Sequence, residues 1–159
     1  MDKLYICKSI LDLMIKKGKT VCTAESCTSG RIAASLTMIS GASDYFQGGL
    51  VAYQDEWKIK YLGVSQSDIK KYNVVSRQVL EQMVIGACEF FSADYALAST
   101  GYAGRGTSDI PDGTIWIGWG NKDDVHSLLL SHDNGRESNT ENATNKVLEE
   151  FLKYLHNLE

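Results

Sequence analysis

Helix-like and strand-like periods alternate along this chain, and that alternation constrains its fold more than any single motif. Residues 3–17 put Leu4, Cys7, Leu11, Met14 and Ile15 on one helical face, and Gly18 ends the helix. Thr20–Ala24 reads as a short buried strand and Thr28–Met38 as a helix. Gly41 opens a loop before a strand around Leu50–Tyr53, and Asp55–Leu62 and Ser65–Tyr72 read as short helices or turns. Ser76–Phe91 is a longer helix with Val79, Met83, Ala87 and Phe90 aligned, followed by a buried strand at Asp94–Ser99. Gly113–Trp119 and Val125–Ser131 form a hairpin about the turn Gly120–Asp124. Thr140–Leu158 closes the chain as a helix whose apolar side carries Val147, Phe151, Tyr154 and Leu155. Helices interleaved with strands, plus one hairpin, predict an α/β fold: a three-layer α/β/α sandwich with a mixed sheet. No repeat, linker or low-complexity stretch breaks the pattern, and 159 residues suffice for one core but not two, so residues 1–159 read as a single domain.

Charge excludes some partners. A net charge of −4 offers no basic excess to neutralise a nucleic-acid backbone, though it leaves room for one local basic pocket that takes a single phosphate. No apolar run approaches the roughly 18 residues of a membrane span. The first residues alternate charged and apolar side chains, unlike a signal peptide, so a cytoplasmic address is expected. Cys7, Cys22, Cys27 and Cys88 form no CxxC pair, and His126, His132 and His156 lie far from them at no zinc-ligand spacing. Cys7 and Cys88 read as buried thiols. Cys27 sits at a helix N-terminus that would favour a thiolate, yet has no evident base nearby, and reads as structural.

The chemistry concentrates in residues 24–58. Ser26 and Thr28 precede Gly30 at a strand-to-helix junction, Ser43 follows Gly41 in a second loop, and Tyr53 and Lys58 follow the segment LVAY. A hydroxyl nucleophile needs a base; arginine stays protonated, so the run reads as serine plus Lys58, with Tyr53 a proton carrier. Each residue also has a plainer reading. Ser43 can cap a turn. Ser26 and Thr28 can cap a helix, or present N–H groups and hydroxyls to a phosphate or oxyanion. Tyr53 can be a packing residue, and Glu25 a capping carboxylate or a ribose contact. Lys58 is a solvated lysine unless burial or a cationic neighbour lowers its pKa from about 10.4 towards 7–8.

The order of these motifs resembles the C-terminal domain of the CinA family, the PncC-type nicotinamide-nucleotide amidohydrolases. The family's AESCTGG reads here Ala24–Gly30, with Ser29 in place of a glycine; its AGSS-type loop reads Ser40-Gly41-Ala42-Ser43. Its strand ending VxYSxxxK reads Val51–Lys58, and its TGIAG loop reads Thr100-Gly101-Tyr102-Ala103-Gly104. LGVS at Leu62–Ser65 and GTIWIG at Gly113–Gly118 also match. The resemblance implies deamidation of nicotinamide mononucleotide, with Ser43 attacking the carboxamide carbon, neutral Lys58 taking its proton, Tyr53 relaying or orienting, and amides around Ser43 holding the oxyanion. It implies Ser26, Thr28, Gly30, Thr100, Gly101, Arg105 and Arg136 as substrate-binding residues. It requires no metal or organic cofactor. The implied partners are a small nucleotide substrate and a second copy of the chain, with no general nucleic-acid binding and no membrane. Trp57, Trp116 and Trp119 add a motive for a homodimer, because Trp116 lies on the opposite strand face from Ile115 and Ile117.

Two points strain that assignment. Ser43 lies ten residues before Tyr53, so an extended connection would span roughly 33 Å. A sharp bend at Gly48-Gly49 would close the gap, as would a site completed by a second subunit; the bend is the expectation. The substrate-binding side has also drifted. The glycine-rich insert is altered at 105–113, and Thr140 stands where the family's second C-terminal arginine would be, a loss of about 1.5–3 kcal/mol for a bound phosphate. Arg105 could compensate from within the site. Another small amide substrate, or a non-catalytic interaction module of the kind linked to competence and DNA damage, are the alternatives.

Overall fold

Strand side chains alternate between the two faces of a sheet. In this protein, seen in a computed structural model that describes residues 2–159, both faces are apolar and each supports its own core. Strands β1 (Val21–Glu25), β2 (Phe46–Val51), β3 (Tyr95–Tyr102), β4 (Thr114–Asn121) and β5 (Asp124–Leu130) form one five-stranded sheet in the order β2-β1-β3-β4-β5. β1 runs parallel to β2 and β3, whereas β4 runs antiparallel to β3 and β5. Tyr95 and Leu97 of β3, with Ile115, Ile117 and Trp119 of β4, feed one core; Ala96, Ala98 and Trp116 feed the other. Helices α1 (Lys3–Lys17), α2 (Arg31–Thr37) and α6 (Arg136–Asn157) cover the first face. On the second face α5 (Arg77–Phe91) lies against the sheet, with α3 (Asp55–Leu62) and α4 (Gln66–Tyr72) packed on it. This is the expected three-layer α/β/α sandwich with a mixed sheet.

Four local differences matter for the site. The buried face of α1 is Ile6, Cys7, Ile10, Leu11 and Met14, rotated from the expected one, so Leu4 and Ile15 face solvent. Phe90 of α5 is likewise half exposed. α2 starts at Arg31, not Thr28, because Ser29 and Gly30 take left-handed backbone angles (φ 50° and 93°) that close a turn first. α6 starts at Arg136, not Thr140. Its first turn has no apolar periodicity, and is fixed instead by buried Asn139, which donates to the Ala103 carbonyl at 2.7 Å and accepts from the Asn134 amide at 2.8 Å.

β2 is the consequential difference. It begins at Phe46 and runs through Gly48 and Gly49 in parallel register with β1, with one bulge at its start that takes up Gln47. The glycines make no sharp bend. They make room: a β-carbon on Gly48 would lie 2.6 Å from the Phe91 ring, and one on Gly49 2.2 Å from the Thr23 hydroxyl. Ser43, in a single 3₁₀ turn at Ala42–Asp44, therefore enters β2, and Tyr53 and Lys58 leave it. Six residues of strand, roughly 20 Å, separate the two ends.

Candidate active site

Parallel strands point their carboxyl ends the same way, and here those ends frame a cavity of about 470 Å³. Ser26 follows β1, Tyr53 follows β2, and Thr100 and Gly101 belong to the end of β3; Lys58 of α3, Arg105 and Arg136 complete the lining.

Lys58 is the decisive side chain. It is 1% exposed, and its Nζ lies 2.8 Å from the Ala52 carbonyl, 3.2 Å from the Tyr53 carbonyl and 3.2 Å from Ser26 Oγ. Burial pulls its pKa below the usual lysine range, against the opposing charge of the Asp55 carboxylate. A neutral amine has two N–H donors and one lone pair. The two carbonyls take the donors, and the third tetrahedral direction holds Ser26 Oγ. The sequence dictates this locally: Gln54 and Asp55 start α3 immediately after β2, so the fourth helical residue folds back over the strand end whose carbonyls it meets.

The loop that holds Ser26 is built on a buried carboxylate. Glu25, 1% exposed, accepts from the Thr28 hydroxyl at 2.6 Å and from the amides of Gly30, Ile32 and Ala33 at 3.2, 2.9 and 2.9 Å. It thereby satisfies the first amides of α2 that no helical partner can reach. Thr28 lies 2.7 Å from the Ser99 hydroxyl, and the Ser26 amide donates to the Ser99 carbonyl at 3.1 Å. Beside Ser26, burial pushes the Cys27 thiol up to about 11, which keeps it protonated at neutral pH. Arg136 donates from Nη2 to the Tyr53 hydroxyl at 2.9 Å.

The CinA C-terminal domain family matches residues 4–155. The chain belongs to the CinA family. A CinA-like protein of Flavobacterium psychrophilum is 39% identical over 143 residues, 89% of this chain and 34% of that protein. A putative competence-damage inducible protein of Halothermothrix orenii is 36% identical over 157 residues, 97% of this chain and 38% of that one. The chain thus spans about a third of the length of the curated relatives it matches. Among solved structures, the competence/damage inducible protein CihA of Agrobacterium tumefaciens superposes with a TM-score of 0.91 at 32% identity, covering 98% of this chain and 96% of that one. The competence damage-inducible protein A (ComA) of Klebsiella pneumoniae reaches a TM-score of 0.95 at 26% identity over 100% of both chains.

On this CinA fold the expected site residues separate into three groups. Ser26, Tyr53, Lys58, Thr100, Gly101, Arg105 and Arg136 all line the cavity. Two of them have structural duties as well: Thr100 spends its hydroxyl on the Val74 carbonyl at 3.0 Å, and a β-carbon on Gly101 would lie 2.6 Å from Ile115 Cα. Thr28 and Gly30 build the loop below the cavity and do not line it; Thr28 is fully buried against Glu25 and Ser99, and Gly30 supplies the turn. The same bonds rule out Glu25 as a ribose contact. Ser43 is not brought to Lys58. It lies exposed at the entering end of β2, so the Ser43–Lys58 pair expected from sequence does not form within this chain. The amides around Ser43 are equally remote. Two further residues belong to the site: Ser99, which sequence shows only as a buried-strand residue, and Asp55, which lies inside the Val51–Lys58 run at a position the motif leaves open.

Proposed function

We propose that this CinA domain is an amidohydrolase that converts nicotinamide mononucleotide to nicotinic acid mononucleotide and ammonia, with Ser26 as nucleophile and Lys58 as base. The observation that carries the reading is the buried, pKa-lowered Lys58 held 3.2 Å from Ser26 Oγ by two main-chain carbonyls. A lysine placed for packing or solubility would keep its ammonium in water. This one is desolvated and aimed at a hydroxyl, as nucleophile activation requires.

In the reaction, neutral Lys58 accepts the Ser26 proton as Oγ bonds to the carboxamide carbon. In the turn that follows Ser26 the Ser29 and Gly30 amides are spent on the Ser26 carbonyl and on Glu25, so the Cys27 and Thr28 main-chain N–H groups are the candidate donors for the oxyanion. Collapse of the tetrahedral adduct breaks the C–N bond, and the proton held on Lys58 passes to the leaving nitrogen, so ammonia departs neutral. Tyr53, which lines the same cavity and whose hydroxyl accepts from Arg136 while keeping its own proton, is the group proposed to shuttle that proton or to orient the amide. Lys58, again neutral, then takes a proton from water as it attacks the acyl-Ser26 ester. Collapse of this second adduct breaks the bond to Ser26 Oγ, which takes the proton back from Lys58, and nicotinic acid mononucleotide leaves.

Ammonia release measured with nicotinamide mononucleotide, nicotinamide riboside and free nicotinamide tests the reading. The mononucleotide is expected to be turned over with the highest kcat/KM. No release from any of the three, in a folded sample, overturns it.

A further inference from the structure

A second cavity, of about 450 Å³, opens on the other side of the Ser26 turn and is lined by Cys27, Ser29, Arg31, Arg136, Glu137 and Thr140. Cys27 and Arg136 border both cavities, so the two are neighbours across one wall. Its charged groups come from two helices that meet there: Arg31 opens α2 and Arg136 opens α6. Each guanidinium is anchored through bonds that leave other N–H groups to give. Arg31 Nη1 donates to the Thr28 carbonyl at 3.2 Å. Arg136 has two anchors on the wall of the first cavity, Nη2 donating to the Tyr53 hydroxyl at 2.9 Å and Nη1 to the Gly104 carbonyl at 3.5 Å. Thr140 is spent internally, its hydroxyl donating to the Arg136 carbonyl at 2.7 Å, so it contributes a wall and no ligand. The missing guanidinium at position 140 thus has a counterpart facing the same space from a different helix.

We infer that this second cavity is an anion subsite, with Arg31 and Arg136 as its ligands, and that it takes the phosphomonoester of a substrate whose amide lies at Ser26. The inference rests on the amidohydrolase reading above for the identity of the substrate, but not for the anion site itself. Two guanidiniums offer paired N–H donors that match the oxygens of one phosphate. The location suits the chemistry, because an anion here is held one wall away from the Ser26–Lys58 pair. A phosphate seated against Lys58 would stabilise its ammonium and disable the base. Arg105 is the competing ligand. It lines the first cavity from an exposed loop with a left-handed backbone (φ 72°), and an anion bound by it would lie in the same chamber as Lys58. Glu137 also lines the second cavity, and its carboxylate opposes any anion there.

Inorganic phosphate titrated into the intact protein, followed by calorimetry, tests the site. Arg31→Ala is expected to weaken phosphate at least about tenfold, the scale of one charge-assisted hydrogen bond. Arg105→Ala should leave it near the wild-type value, and Glu137→Gln should tighten it. Loss of binding in Arg105→Ala but not Arg31→Ala would overturn the assignment, as would weaker binding in Glu137→Gln. The kcat/KM ratio of nicotinamide mononucleotide to nicotinamide riboside should also fall about tenfold in Arg31→Ala. If the protein turns over amides and this ratio does not move, the subsite is wrong and the function stands. If phosphate binding depends on Arg31 but no nicotinamide substrate releases ammonia, the subsite stands and the function is wrong.

Discussion

Burying an amine costs free energy, and the cost falls on its charged form. In Lys58 that cost is the means of catalysis, because the neutral form it favours is the one that accepts a proton. The sign follows directly: activity should rise with pH through the depressed Lys58 pKa and level off below the value of about 10.4 seen for a free lysine. Lys58→Arg should be as inactive as Lys58→Ala, since a guanidinium keeps its proton. Stability carries the same signature. The folded pKa is lowered, so between it and about 10.4 the unfolded chain binds the extra proton, and stability rises with pH across that window. The melting temperature of the wild type relative to Lys58→Met should therefore increase as pH rises through it. A difference independent of pH would mean that Lys58 is not desolvated in solution. Tyr53→Phe separates the two roles left to that hydroxyl. A loss in kcat alone indicates a proton relay, whereas a loss in KM alone indicates orientation of the amide.

At the scale of elements, the site depends on two close fits. α3 carries Lys58, and its last turn rests on α5 where a β-carbon on Gly86 would lie 1.9 Å from the Leu62 carbonyl oxygen. Gly86→Ala should therefore cost about 1–3 kcal/mol in urea denaturation and displace Lys58, lowering kcat although residue 86 touches no substrate. α2 depends on Glu25 in the same way. Glu25→Gln turns one acceptor oxygen into a donor facing an amide, and should cost on the order of 2 kcal/mol. Most of these elements are legible in sequence: a period of 3.6 marks α1, α5 and α6, a buried apolar run marks β3, and turn residues between two apolar runs mark the β4–β5 hairpin. What was not legible follows from physics those periods do not contain. Gly48-Gly49 suggested a bend because glycine permits one; the neighbours that demand small residues there, Phe91 and Thr23, are distant in sequence. The residues of the chemistry were visible in the run 24–58, but which serine meets Lys58 was not. The resemblance implies Ser43, whereas strand direction favours Ser26, 32 positions away from Lys58.

For the whole molecule, the sheet sets both assembly and polarity. Trp116 and Trp119 find places within the two cores and supply no motive for association. Trp57 does remain exposed, in an aromatic row with Tyr61 and Phe90 at ring separations of 6.0 and 6.2 Å, beside the edge strand β2. Open strand edges flanked by apolar rings favour pairing. Sedimentation at micromolar concentration is expected to give a dimer that Trp57→Lys weakens, and a wild-type monomer would contradict this. Polarity is the stronger consequence. Ser26 and Ser43 lie at opposite ends of one parallel strand pair, and among the described residues a buried base lies only at the carboxyl end. Ammonia release from nicotinamide mononucleotide by Ser26→Ala and Ser43→Ala, measured side by side, asks which end carries the chemistry. Ser26→Ala should lose at least about 10³-fold in kcat while Ser43→Ala stays within about twofold of wild type. Full activity in Ser26→Ala together with its loss in Ser43→Ala would contradict the account.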